Sequence, residues 1–319
     1  MIAPAFPTVE QHLVKPTAPA VGRVVSSALC TAGGRKAAGI VRHVEIDVSG
    51  TPLAGRFRAG QSFGVIPPGF DDRGKAHKVR LYSIASPTAG EDGSGGVLAT
   101  TVKRLVEEHW EEPGLFQGVA SNYLCSLREG DEVMVSGPAG KRFLLPDDPS
   151  SHDYLFFATG TGIAPFRGML GDLVAADAGS NATLVLGSPY ASDLLYHEQM
   201  LEMEASHPWM RYVTAVSRER QADHDGTMYV QDRIDQDPLG DREGSILASL
   251  TSERTLIYVC GIAGMEIGIF RKLAAVLSGD ELAKYVEIDP EVADDPQSWS
   301  RKMVHRQIRP TSRMLLEVY

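Results

Sequence analysis

The chain has 319 residues, of which 43% are hydrophobic, 23% charged and 7% aromatic. That length and apolar content suit two domains with full cores and exclude wholesale disorder. With 41 acidic and 31 basic side chains the formal net charge is −10, which argues against nonspecific nucleic-acid or anionic-membrane binding unless the bases gather on one face.

The first 20 residues are rich in Pro and Ala and carry no hydrophobic period, so a flexible N-terminal arm is expected over 1–20. Neither a signal nor a transit pattern stands there, and no apolar run reaches membrane-spanning length. From residue 21 onward, short runs such as GRVVSS, GIVRHVEID, SFGVIP, VRLYSIAS, GVLATTV and DEVMVSG alternate with Gly, Pro and Asp turns. This spacing predicts an all-β antiparallel barrel over residues 21–148. A polar segment from Pro146 to His152 follows, and the character then changes. Buried-strand runs at Tyr154–Ala158, 181–187, Met210–Val216, 255–260 and Met314–Val318 alternate with helical stretches at 165–176, about 193–204, around Gln231 and about 264–277. That alternation predicts an α/β doubly wound parallel sheet over 149–319. The three cysteines, Cys30, Cys125 and Cys260, are scattered; neither a disulfide framework nor a metal or iron–sulfur site is expected. The whole reads as a cytoplasmic protein without nucleic-acid or membrane partners.

The motifs differ in weight. Gly69–Lys75 fits the phosphate-cradling G-x-x-x-x-G-K pattern, but Ala76 stands where a hydroxyl is needed and a strand, not a helix, follows. Ala158-Thr-Gly-Thr-Gly162-Ile-Ala-Pro165 joins a buried strand to a helix, where bare backbone and free N–H groups suit a pyrophosphate. Pro165 displaces the third glycine of the usual dinucleotide fingerprint. The next strand ends Leu186-Gly187-Ser188-Pro189, without the acid that holds a ribose 2′-hydroxyl. Ser217-Arg218 after the third strand, with Tyr229 and Gln231 beyond, offers a hydroxyl, a guanidinium and an aromatic face for a phosphorylated adenosine. An ordinary polar loop could look the same. Cys260, at the tip of a strand, lacks a neighbouring His and reads as a small buried hydrophobe. His197-Glu198 lacks the second His of a zinc-protease motif.

Taken in order, RLYSIAS (80–86), VKRL (102–105), GVASNYLC (118–125), GPAGK (137–141), ATGTGIAPFRGML (158–170), LLYHEQ (194–199), SRE (217–219), MYVQ (228–231), YVCGIAGME (258–266) and the tail LEVY (316–319) resemble the plant-type ferredoxin–NADP⁺ reductase family over residues 21–319. The resemblance implies an FAD-binding barrel followed by an NADP-binding domain. It implies that Arg80 and Ser121 hold the FAD pyrophosphate, that Tyr82 and Tyr319 sandwich the isoalloxazine ring, and that Leu81, Thr101, Val102, Lys103, Gly118, Val119 and Ala120 line the flavin site. Thr161 would sit between flavin and nucleotide, and Lys103 would reach the NADP pyrophosphate. Ser188, Pro189, Ser217, Arg218, Tyr229 and Gln231 would take the adenosine end of NADP. Ser83, Cys260 and Glu317 would surround the reacting atoms, Cys260 and Gly261 would also line the NADP site, and Tyr319 would be a gate; Ser83, Cys260, Glu317 and Tyr319 are the expected catalytic set.

Departures from the family pattern are Glu107 in place of a Tyr that stacks on the FAD adenine, Thr227 in place of a Lys near the 2′-phosphate, Met314 in place of a tail Trp, and an acidic stretch over 280–299. The implied function is electron transfer between NADP(H) and a ferredoxin or flavodoxin. Alternatives are a reductase feeding an oxygenase or other acceptor and, more remotely, a non-catalytic nucleotide-binding regulator. An acidic partner would dock near Lys75, Lys78 and the basic 301–313 segment, and a monomer is expected.

Overall fold

The computed structural model describes residues 3–31, 39–109, 113–221 and 223–319. In chain order the first half contains β1 (Ala20–Leu29), β2 (Val41–Asp47), β3 (Ser62–Ile66), β4 (Arg80–Ser83), β5 (Val97–Lys103), β6 (Val106–Glu108), β7 (Leu115–Gln117), α1 (Val119–Ser126) and β8 (Glu132–Ala139). The second half contains β9 (Asp153–Thr159), α2 (Ile163–Ala176), β10 (Ala182–Ser188), α3 (His197–Ser206), β11 (Met210–Val216), α4 (Ile246–Thr251), β12 (Thr255–Gly261), α5 (Met265–Val276), α6 (Gly279–Ala283), β13 (Val286–Ile288), β14 (Ile308–Pro310) and β15 (Met314–Val318). Two compact units result. One comprises Pro7–Leu145 with Ala164–Ala175, the other Met1–Phe6, Pro146–Ile163 and Ala176–Tyr319.

The first unit is an antiparallel sheet in the order β4-β3-β8-β1-β2-β5. The chain beyond β4 returns to β5 through the Ile84–Thr100 bridge and the bond from Ala85 N–H to the Ala99 carbonyl (2.8 Å), which brings the two edges together into a barrel. Alternation along the strands sends Val24, Val44, Ile46, Phe63, Val65 and Leu98 inward. Each such side chain contributes roughly 1.5–3 kcal/mol by leaving water. Helix α1 interrupts a region read from sequence as strands and turns. Its buried residues Ala120, Leu124 and Cys125 share one face, and Asn122 donates to the Leu105 (2.8 Å) and Gly118 (2.9 Å) carbonyls. Helix α2 packs in the same unit. Arg167 is held by Glu91 and the Ala85 carbonyl, and Asp172 by the Thr88 backbone and hydroxyl.

The expectation of a flexible arm needs correction. Val14 is buried and exchanges backbone hydrogen bonds with Gly137, while the His12 N–H donates to the Pro138 carbonyl at 2.8 Å. Gln61 donates to the Glu10 carbonyl (3.0 Å), and Glu10 pairs with Arg56. Composition misleads here because the segment is fixed by backbone pairing to a distant strand rather than by local periodicity.

The second unit is the doubly wound α/β sheet, five parallel strands in the order β11-β10-β9-β12-β15. Continuous apolar runs build strands buried on both faces. Leu155 and Phe157 of β9 join Val185, Val259, Ile269 and Phe270 in one core, while Tyr154 stacks on Phe156 and Tyr258 packs tilted against both rings. The acidic stretch over 280–299 is folded into this unit: Trp299 is 1% exposed and donates its indole N–H to the Val292 carbonyl (2.8 Å). Because strand order reverses between β9 and β12, the turns at their C-terminal ends diverge and leave a crevice where a ligand fits.

Candidate functional site

The C-terminal ends of β9, β12 and β15 are pressed together by small residues. A Cβ on Gly162 would lie 2.2 Å from the Cys260 carbonyl oxygen, and Gly261, at φ +143°, sits against Thr159. The Thr159 hydroxyl accepts the Ile262 N–H (2.9 Å) and contacts Met265 Sδ (3.4 Å), tying the first turn to the loop after β12. Register then sets Cys260 beside Ala158 on one side and Glu317 on the other.

Four of the expected residues converge there. Cys260 is fully buried, and burial, with Glu317 beside it, pushes its thiol well above the ordinary range. Glu317 is pushed up to about 7 by burial, and its Oε2 has no hydrogen-bond partner among the described residues. Tyr319 closes the end of the sheet: its N–H donates to the Gly261 carbonyl (3.0 Å), its carbonyl accepts from the Ala263 N–H (2.9 Å), and its hydroxyl meets Thr161 Oγ1 at 2.7 Å. The residue nonetheless remains 61% exposed. A cavity of about 430 Å³ opens beside Glu317, bounded also by Glu266, Arg301 and His305. Glu266 was not anticipated. Its buried carboxylate accepts from the Gly264 N–H (2.6 Å) and Arg301 (3.1 Å), clamping the loop after β12. In sequence it stands as the last residue of YVCGIAGME and as an acid in the first turn of a helix.

Further along the sheet edge, the Ser217 and Arg218 N–H groups donate to the Ser188 and Pro189 carbonyls, both at 3.0 Å. The Arg218 side chain and Tyr229 are exposed, and Tyr229 is fixed from behind by Asp232, which accepts its N–H at 2.8 Å. Gln231 packs on α5 at Gly268. Ser188, Pro189, Ser217 and Arg218 are thus bonded together, and an exposed guanidinium and an exposed aromatic ring are groups that can hold a phosphate and a base.

In the barrel unit, the expected flavin residues also cluster. The Thr100 hydroxyl donates to the Ser83 carbonyl (2.9 Å), joining β4 to β5 beside Thr101 and Val102. The Ser121 hydroxyl donates to the Gly118 carbonyl (3.1 Å) and accepts the Leu105 N–H (3.2 Å), so the turn after β5 and the start of α1 are bonded. Arg80, Leu81, Lys103 and Val119 are exposed, Tyr82 is half-buried, and Thr101, Val102 and Ala120 are buried, so the last three can line a ligand chiefly through their backbone. Burial pushes the Tyr82 hydroxyl up to about 12. An exposed guanidinium, the first-turn N–H groups of a helix and an aromatic ring suit a flavin nucleotide.

The G-x-x-x-x-G-K segment is a tight turn. Asp71 accepts the Arg73 (3.0 Å) and Lys75 (2.8 Å) N–H groups, presenting Arg73, Lys75 and Lys78 to solvent. The 301–313 segment is less uniformly basic at its surface than its sequence suggests. Arg313 is 3% exposed and donates to the Glu253 and Thr255 carbonyls, Arg301 pairs with Glu266, and Arg309 pairs with Glu287.

Residues 156–269 match the oxidoreductase NAD-binding domain family. The chain is 38% identical over 271 residues to the ferredoxin–NADP reductase of Spirulina sp, spanning 83% of this chain and 88% of that protein. It is 37% identical over 272 residues to the ferredoxin–NADP reductase of Synechocystis sp., spanning 83% of this chain but 63% of the longer relative. Ferredoxin-NADP⁺ reductase from Plasmodium falciparum superposes with a TM-score of 0.70 over 97% of this chain and 99% of its own, at 21% identity, which shows a common fold.

Proposed function

The chain belongs to the ferredoxin–NADP reductase family, and on that premise we propose that it is an FAD-dependent oxidoreductase moving electrons between NADP(H) and a one-electron protein carrier, a ferredoxin or flavodoxin. The observation that carries the reading is the meeting of Thr161, Cys260, Glu317 and Tyr319 where strand order reverses. In this reading residues 21–148 form the flavin domain and residues 149–319 the nucleotide domain. When bound, FAD supplies the exchange between two-electron hydride chemistry and one-electron carriers.

The chain's own residues bind, orient and protonate. Arg80 and the start of α1 at Ser121 are assigned the flavin pyrophosphate, Tyr82 one face of the ring, and Leu81, Thr101 to Lys103 and Gly118 to Ala120 its surroundings. Lys103 also reaches the nucleotide pyrophosphate. Ser217 and Arg218 take the 2′-phosphate, Tyr229 and Gln231 the adenine, with Ser188 and Pro189 shaping the floor. Ser83 offers a hydroxyl near the reacting atoms. Cys260, kept as a neutral thiol by burial, is a small wall that lets the nicotinamide approach; it is not a nucleophile. Glu317 holds a proton near neutral pH and can exchange it with solvent through the adjoining cavity. Tyr319 is assigned the second ring face until the nicotinamide displaces it. Its side chain leaves at the cost of one hydroxyl hydrogen bond, about 1 kcal/mol.

The exposed bases Lys75 and Lys78 are the proposed landing site for an acidic carrier. None of the three cysteines is in a disulfide, which fits the reducing cytoplasm where we place the protein, as a monomer. Anaerobic titration of the yellow holoprotein with NADPH and with NADH tests the reading. Rapid bleaching by NADPH and slow bleaching by NADH is the expected result. A protein that takes up no FAD, or whose flavin neither nucleotide reduces, would overturn it.

A further inference from the structure

The loop between β11 and Met228 carries Ser217 and Arg218, and its ends are tied by backbone bonds: Ser217 and Arg218 to the turn after β10, and the Met228 N–H to the Val216 carbonyl at 2.8 Å. Its middle has a different anchor. Arg233, in the short helical turn after Tyr229, is 1% exposed. Its guanidinium donates to the Thr214 carbonyl of β11 (2.8 Å), the Gln236 carbonyl (3.3 Å), Gln221 Oε1 (3.4 Å) and Asp223 (3.0 Å). Gln221 Oε1 in turn accepts the Val216 N–H at 3.0 Å, directly before Ser217. One planar fork therefore joins a core strand to the mid-loop residues Gln221 and Asp223.

Resting on the functional reading above, we infer that Arg233 is a positioning residue for nucleotide discrimination. By holding Gln221 and Asp223 it preorganises the loop that presents Ser217 and Arg218 to the 2′-phosphate. Two features make this more than a structural pair. First, a buried guanidinium is expensive unless compensated, and its one carboxylate partner, Asp223, sits on the loop and is still 40% exposed. The arrangement spends a buried charge on a surface loop and not on the core. Second, the cation beside Ser217 is Arg218, an exposed, long side chain, and a held loop backbone limits where that side chain can sit. Ordering a loop in advance removes an entropic cost from binding.

Charge and loop ordering pull in opposite directions in Asp223→Ala. Removing an acid near a phosphate dianion should tighten binding if electrostatics alone operates. If the loop must be held, binding weakens. The measurement is calorimetric titration of the FAD-loaded protein with 2′,5′-ADP and, separately, with 5′-AMP, for wild type, Asp223→Ala, Arg233→Lys and Arg233→Met.

Loss of one charge-assisted bond should weaken 2′,5′-ADP binding about tenfold in Asp223→Ala and Arg233→Met, with Arg233→Lys between them and wild type. Binding of 5′-AMP should change less than about twofold. In steady state, KM for NADPH should rise with kcat held. Asp223→Ala lies on an exposed loop and remains informative if the Arg233 variants fail to fold. Tighter 2′,5′-ADP binding in Asp223→Ala, or equal losses for both nucleotides, would sink the inference. Failure of wild type itself to prefer 2′,5′-ADP would count against the functional reading instead.

Discussion

Glu317 shows how one residue's surroundings set its chemistry. Its ordinary value of 4.5 is pushed up to about 7 by burial, so the folded chain retains a proton that the unfolded chain loses as pH rises. The contribution is fully favourable below the unfolded value and declines as pH climbs toward and through 7. A shift of that size corresponds to a loss of about 3 kcal/mol at most. Glu317→Gln carries a neutral group of the same shape and should lose no stability over that window. Thermal unfolding of both proteins from pH 5 to pH 8 should show the wild-type Tm falling relative to the variant as pH rises. Parallel curves would mean that the carboxyl is not desolvated. The sequence placed Glu317 near the tail Tyr by motif, but only the β12–β15 register puts it against Cys260.

At the scale of elements, α2 shows what holds a helix of this kind on the barrel. Arg167 makes a two-pronged contact with Glu91 (2.5 and 3.1 Å), both side chains being largely buried. His43 lies 3.6 Å from Glu45 and 3.7 Å from Glu91, yet burial and the Arg167 charge push it down to about 3, so it stays neutral and leaves Arg167 as the cation of the cluster. Arg167→Ala strands Glu91 beside Glu45 and should cost about 3–5 kcal/mol, read as a lower urea midpoint. Partial recovery in an Arg167→Met, Glu91→Leu double variant would identify the lost pairing as the cause. A loss below about 1 kcal/mol would place the pair among ordinary surface bridges. Strands β9 to β12 were legible because a strand buried on both faces is a continuous apolar run. Helix α1 was not, because its eight residues bury one short face and are held by side-chain bonds to Leu105 and Gly118.

For the molecule as a whole, a net charge of −10 would repel an acidic carrier at long range. The exposed bases of the turn at 73–78 oppose that locally. Reduction of an acidic ferredoxin should therefore weaken as salt rises, and Lys75→Glu with Lys78→Glu should lower kcat/KM for the carrier by about tenfold or more. Flavin reduction by NADPH should be unchanged in that variant, since neither lysine lies in the nucleotide half. Stopped-flow reduction by NADPH beside steady-state carrier reduction, each over a salt series, makes the comparison. A carrier rate indifferent to both changes would remove the turn from the docking surface. The basic run over 301–313 read as a second docking patch in sequence. In the fold Arg301, Arg309 and Arg313 are already engaged.

Local periodicity and ordered motifs were enough to determine the two fold classes, the strand-to-helix turn at Thr159–Gly162 and the family. Each of these depends on residues close together in the chain, where strand or helix period and backbone freedom act directly. Tertiary structure decided what depends on distant pairing. It raised Glu317 by burial, closed Tyr319 onto Thr161, buried Arg313, fixed the N-terminal segment on Gly137, and aimed Arg233 at Gln221 and Asp223. Desolvation and hydrogen-bond partners are properties of the packed interior, and no window of sequence contains them.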